Sequence, residues 1–180
     1  MLELNTFSNW WNKFLWGAVQ PIQPVEETQT VTTEEEKQEM KSYFTIEELC
    51  ASQVAKNLHI DNTPPANIVE NLKRLIEFLN PLREAWGSPI RINSGFRCDR
   101  LNTAVKGVNN SAHLTGNAVD MTPVNKKQTE FENFVVNYLK NHDLKWDQCL
   151  KEKSKTDQWL HLGLYDNTGK QRCQIKNLYV

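Results

Sequence analysis

Two histidines and one carboxylate stand in settings that suit an open metal site. His113 and Asp120 lie in Ser111-Ala-His-Leu-Thr-Gly-Asn-Ala-Val-Asp120, and His161 lies in Trp159-Leu-His-Leu-Gly163. Three protein ligands of these types leave the fourth tetrahedral position of a zinc ion open to water or substrate. The chain has only four histidines, so two in such settings carry weight. From spacing alone a bland reading competes, in which the histidines pack or face solvent and Asp120 serves a turn. Neither HExxH nor a dense Cys/His motif is present, and no pair among Cys50, Cys98, Cys149 and Cys173 has CxxC spacing. A structural zinc finger is therefore not expected.

The elements around these residues are legible. Leu114 to Asn117 has the composition of a turn. Ala118 to Thr122 then alternates like a strand, with Ala118, Asp120 and Thr122 on one face and Val119 and Met121 on the other. Gln158 to Tyr165 alternates too, placing Leu160, Leu162 and Leu164 towards a core and Trp159, His161 and Gly163 opposite. If the two strands are neighbours, Asp120 and His161 project from one sheet face and His113 arrives from the preceding turn. Upstream, Ile90 and Ile92 alternate with Arg91 and Asn93 in a short strand that breaks at Ser94-Gly95. Arg97 just beyond it suits a planar clamp for a carboxylate, or an ordinary surface ion pair.

The run Ile92-Asn-Ser-Gly-Phe-Arg97, Leu101-Asn102, Gly107-Val-Asn-Asn-Ser111, His113-Leu-Thr-Gly116 and Ala118-Val-Asp120 resembles the signature of the D-Ala-D-Ala carboxypeptidase family of zinc peptidases. Its short carboxypeptidase/endolysin branch, often carried by phages and prophages, is the nearest in pattern. The resemblance covers about residues 43 to 165 and includes Phe44 to Leu49, Asn71-Leu72, Pro81 to Arg83, Trp146 to Gln148 and Trp159 to His161. It implies that His113, Asp120 and His161 bind one zinc ion per chain. It also implies that Ser111 and Arg97 line the substrate site, with Arg97 engaging a peptide carboxylate or carbonyl. Many relatives carry the general base three residues before the last histidine, where this chain has Gln158. In the nearest branch a glutamate aligns with Glu152, which is the expected base, with Asp157 as the alternative. Lys153 to Asp157 resembles a small insertion, and Cys98 replaces the usual small serine.

Those parts make one chemistry. Zinc lowers the pKa of its water towards about 7, and a carboxylate within reach moves the proton, a role worth ~10²–10⁴ in rate. The metal and Arg97 stabilise the oxyanion. Peptide hydrolysis fits, and the resemblance implies peptidoglycan stem peptides containing D-amino acids as substrate. Trimming of a terminal D-Ala is slightly favoured over cleavage within the stem or crosslink. A different class, a wall-binding or scaffold module that keeps the fold without catalysis, is supported by the missing acid at position 158.

The remaining sequence sets the frame. Of 21 basic and 22 acidic residues, two and seven fall in residues 1–40, leaving a mildly basic remainder of 19 against 15. The basic residues are scattered, without the aromatic-interleaved face that nucleic acid binding needs, so no nucleic acid partner is expected. In residues 1–20, Phe7, Trp10, Trp11, Phe14 and Ala18 follow helical spacing, which predicts an interfacial membrane helix, a partner-docking helix or packing on the chain's own domain. It is too short to span a bilayer and lacks the basic start and apolar core of a signal peptide, so synthesis in the cytoplasm is expected, with action at the bacterial cell wall. Residues 21–42 read as an acidic flexible linker, turning helical from Thr33.

The peptidase domain is expected over 43–180. Thr45-Ile-Glu-Glu48 resembles a capping box that opens a short helix over Glu47 to Ser52. A long helix is predicted from Ala66 to Trp86, with Ile68, Leu72, Leu75, Ile76, Leu79 and Leu82 as its core stripe and Gly87 as its stop. Shorter helices are expected over Arg100 to Val105 and Gln128 to Lys140, and a last strand over Arg172 to Val180. His59 and His142 sit beside loops and are expected to face solvent. Spread cysteines in such a chain suggest reduced thiols. The fold class is α+β, a small, mostly antiparallel sheet flanked by helices, in agreement with the Hedgehog/DD-peptidase fold that the resemblance implies.

Overall fold

A computed structural model describes residues 41–179. The expectations for residues 1–20, and for the linker as far as residue 40, lie outside these described residues. The short helix α1 (Ile46–Cys50) opens where Thr45 Oγ1 accepts the Glu48 N–H, 3.1 Å away, as the capping pattern predicts. A second short helix, α2 (Gln53–Asn57), follows under a Ser52 cap and is absent from the sequence reading. Helix α3 (Ala66–Trp86) has the predicted bounds. It stops where Gly87 takes the left-handed conformation (φ 72°), and its N–H returns to the carbonyls of Arg83 and Glu84. The remaining elements are β1 (Ile90–Ser94), α4 (Asp99–Ala104), a 3-10 turn (Ala112–Thr115), β2 (Ala118–Pro123), α5 (Gln128–Asn141), β3 (Gln148–Lys153), β4 (Gln158–Gly163) and β5 (Gln174–Tyr179).

The five strands form one sheet in the order β1-β2-β4-β3-β5. Every pairing is antiparallel except β3 with β5, so the fold is α+β and mostly antiparallel. Strand alternation divides the sheet into two unlike faces. Ile90, Val119, Met121, Cys149, Leu160 and Leu162 join the buried stripe of α3 and Phe131, Val135 and Leu139 of α5 in one core. Ile76 is only partly buried against it, as are Phe134 and Tyr138. Each fully buried leucine of this kind stabilises the fold by about 1.5–3 kcal/mol.

Single polar side chains tie the loops to that core. Buried Asn62 donates to the carbonyls of Cys50 (2.9 Å) and Phe96 (3.0 Å) and accepts from the Cys98 N–H (2.8 Å). It thereby fixes the loop that carries Arg97. Asn71 of α3 donates to Thr115 O (2.8 Å) and holds the 3-10 turn. Asp147 is almost wholly buried, and its two oxygens receive the Nε and Nη2 donors of Arg172 just ahead of β5. The four cysteines are all free thiols. Among the described residues no helix is long and apolar enough to cross a membrane.

Candidate metal centre

The site stands on the sheet face that the helices leave open. Asp120 of β2 is the direct cross-strand partner of His161 of β4. This register brings two side chains far apart in sequence onto adjacent positions of one face. His113 enters from the 3-10 turn, whose first residue is capped by Ser111: its side-chain oxygen accepts the His113 N–H at 3.4 Å. The turn ends at Gly116 in the left-handed conformation (φ 66°), where a side chain would press on Ile68 and Leu72 of α3.

All three side chains are buried. His161 Nδ1 lies 2.9 Å and His113 Nε2 3.3 Å from Asp120 Oδ1, and the two ring nitrogens are 3.3 Å apart. Tetrahedral ligands at ~2.0–2.1 Å from a zinc ion are separated by about 3.3 Å, so the donor set fits the ion. His113 Nδ1 is 2.7 Å from the carbonyl of Gly95 and donates to it, which leaves Nε2 free to serve as a metal ligand. Burial lowers the His113 pKa and keeps the imidazole neutral, the form a metal requires. Burial alone would raise the Asp120 carboxyl, but the adjoining imidazoles outweigh it and hold this group well below the usual carboxylate range.

Gly95 has no room for a side chain: a Cβ there would collide with the carbonyl of Leu49 in α1. The same Leu49 carbonyl accepts the N–H of Phe96 at 2.8 Å, and the Arg97 N–H donates to His113 O at 3.1 Å. The loop from Gly95 to Arg97 is thus sewn to α1 on one side and to the metal-site turn on the other.

Arg97 is positioned by two bonds. Its Nε donates to Ser94 Oγ (2.8 Å) and its Nη2 to Asp120 Oδ2 (2.7 Å), the carboxylate oxygen turned away from the histidines. Three of its five N–H groups remain for other acceptors. This Asp120 contact is invisible in the sequence, because it depends on the pairing of Ser94 with Asp120 across β1 and β2.

Glu152 of β3 pairs with Trp159, and the next same-face pair along the two strands is Leu150 with His161. It therefore shares the face of Asp120 and His161. Burial raises its carboxyl pKa, the negative Asp120 adds to the rise, and His161, Trp159 and Arg97 oppose it. Asp157 is exposed in the β3–β4 connection, where its carboxylate accepts the Thr156 hydroxyl (2.5 Å). Gln158 belongs to the opposite, helix-covered face, and its amide donates to the buried Glu132 of α5 at 2.9 Å. Asn62 and Glu132 escaped the sequence reading, because a polar residue carries no local sign of its burial. Gly95 stands in the Ile92–Arg97 run, but its contact with Leu49 is long-range and invisible there. His59 and His142 are exposed, as expected.

The sequence model of the family Peptidase M15 matches residues 42–161, a span that includes every residue of this centre. The chain belongs to the Peptidase M15 family. Its members are zinc peptidases, so the protein is a zinc metallopeptidase in general type, with a buried His113, Asp120 and His161 group able to hold the ion. Its α+β architecture is consistent with that family's fold. No curated protein matches the chain.

Proposed function

We propose that this Peptidase M15 protein hydrolyses peptidoglycan stem peptides and trims a terminal D-Ala. The observation that carries the reading is the convergence of His113, Asp120 and His161 in a buried triad with Glu152 on the same sheet face. A zinc ion held by the triad supplies a Lewis acid and lowers the pKa of water towards about 7. Glu152 is the general base: it takes the proton of the attacking water and returns it to the leaving amine. Its raised pKa suits both halves of that task. Arg97, anchored through Asp120 and Ser94, directs its remaining N–H groups at the scissile carbonyl oxygen. Ser111 shapes the turn of His113 and borders the substrate.

The recess beside the centre measures about 360 Å³, within the range of small-ligand pockets. The rival reading of a non-catalytic module leaned on Gln158; its amide donates to Glu132 of α5, and Glu152 is the carboxylate on the face of the triad. Action at the bacterial cell wall follows from the substrate. Contact of residues 1–20 with a membrane or a partner belongs to the same proposal, and liposome flotation with and without them tests it. The main test is incubation of zinc-loaded protein with muropeptides and with D-Ala-D-Ala peptides. Release of D-Ala is expected, and hydrolysis of neither substrate refutes the reading.

A further inference from the structure

The recess continues from Asp120 past Thr122 to Arg91 and Asn93 of β1, with Trp159 and Asp157 across from them. Its two arginine neighbours are in different states. Arg97 is half-buried and already bound to Asp120 and Ser94. Arg91 is exposed and makes no ion pair among the described residues, yet it is not loose. Its Nε donates to Asn93 Oδ1 at 3.2 Å, and Asn93 Nδ2 donates to Thr122 Oγ1 at 2.5 Å. The guanidinium is thereby tethered through Nε while both Nη groups stay available, the edge that meets a carboxylate in parallel. The Thr122 oxygen is used as an acceptor, so its own proton is left to donate.

The distance to the centre is fixed by register. Arg91 pairs with Thr122, and Ser94 with Asp120. Thr122 lies two residues beyond Asp120, roughly 7 Å along the strand. Such a step corresponds to about two residues of extended peptide.

We propose that Arg91 is a specificity-determining residue that binds a substrate carboxylate lying within about two residues of the scissile carbonyl, with the Thr122 hydroxyl as second donor. The assignment rests on the peptidase reading above and adds which peptides that site accepts.

Two peptides ending in D-Ala-D-Ala, one with a free C-terminal carboxylate and one amidated, test it. The native protein should favour the acid by about ten- to a hundredfold in kcat/KM. Arg91→Met should bring that ratio close to one, chiefly through KM of the acid, with zinc content and circular dichroism unchanged. Arg91→Lys should recover part of the ratio, and Thr122→Val should lose a smaller part. An acid preference that survives in Arg91→Met overturns the proposal. So does a native protein that cleaves both peptides equally well, although the peptidase reading then stands. A native protein that cleaves neither refutes the peptidase reading and this proposal together.

Discussion

Val119 and Met121 point into the core from the same strand that turns Asp120 and Thr122 to the open face, and β4 repeats the division with Leu160 and Leu162 against Trp159 and His161. The helix-covered face is apolar, close-packed and held by area. The open face carries the carboxylates of Asp120 and Glu152, two imidazoles and the arginines Arg91 and Arg97, whose value lies in position. Neighbouring residues thus serve unlike ends, and a one-residue slip of register would exchange them. Stability and chemistry are separable here by parity alone.

Substitutions that respect this parity should give opposite signatures. Asp120→Ala or His161→Ala should lower zinc from about one ion per chain to near none and abolish turnover, as read by metal analysis beside the peptide assay. Glu152→Gln should keep the zinc and lower kcat by ~10²–10⁴. Leu160→Ala, one residue from a metal ligand but on the other face, should cost about 2–5 kcal/mol in denaturant unfolding while the folded molecules keep zinc and most of their kcat. A Leu160 variant that keeps its stability but loses metal would break the comparison.

Two smaller effects sharpen it. Gln158→Glu places an acid at position 158, where it is set against Glu132 behind the sheet. Activity should not rise, and stability should fall by about 1–2 kcal/mol. A rise in kcat would show that position 158 reaches the centre. The last concerns pH. Burial raises Glu152 in the fold, so its contribution to stability is complete below its ordinary 4.5 and is lost as pH rises through the raised value. In metal-free protein, Glu152→Gln should therefore raise Tm at neutral pH and leave it unchanged below pH 4.5. A Tm lowered at neutral pH would contradict the burial argument.

Much of this arrangement is legible in the sequence where patterns are local. The alternation of Ala118 to Thr122 and of Gln158 to Leu164 gives both faces correctly, and the stripe from Ile68 to Leu82 gives α3 with its ends. Strand β3 is not legible, because Gln148-Cys-Leu-Lys-Glu-Lys153 mixes charge on both faces. The last strand, expected over Arg172 to Val180, forms as β5, but its parallel pairing with β3 is a long-range feature that no local pattern contains. Helix α2 has five residues and too little period to register. That Glu152 shares the face of His161 needed the β3–β4 register, which no local pattern contains. The tether of Arg97 to Asp120 is likewise a product of pairing across strands.

One backbone carbonyl links parts of the chain that look independent. Gly95 O fixes the His113 ring, and Gly95 itself is wedged against Leu49 at the end of α1. Helix α1 is therefore coupled to the ring: whatever frays Ile46–Cys50 should release His113, and whatever binds the ring should anneal the helix. A zinc titration of this protein should double as a folding assay for α1. Damage ahead of Gly95 should announce itself as metal leakage before any loss of the sheet.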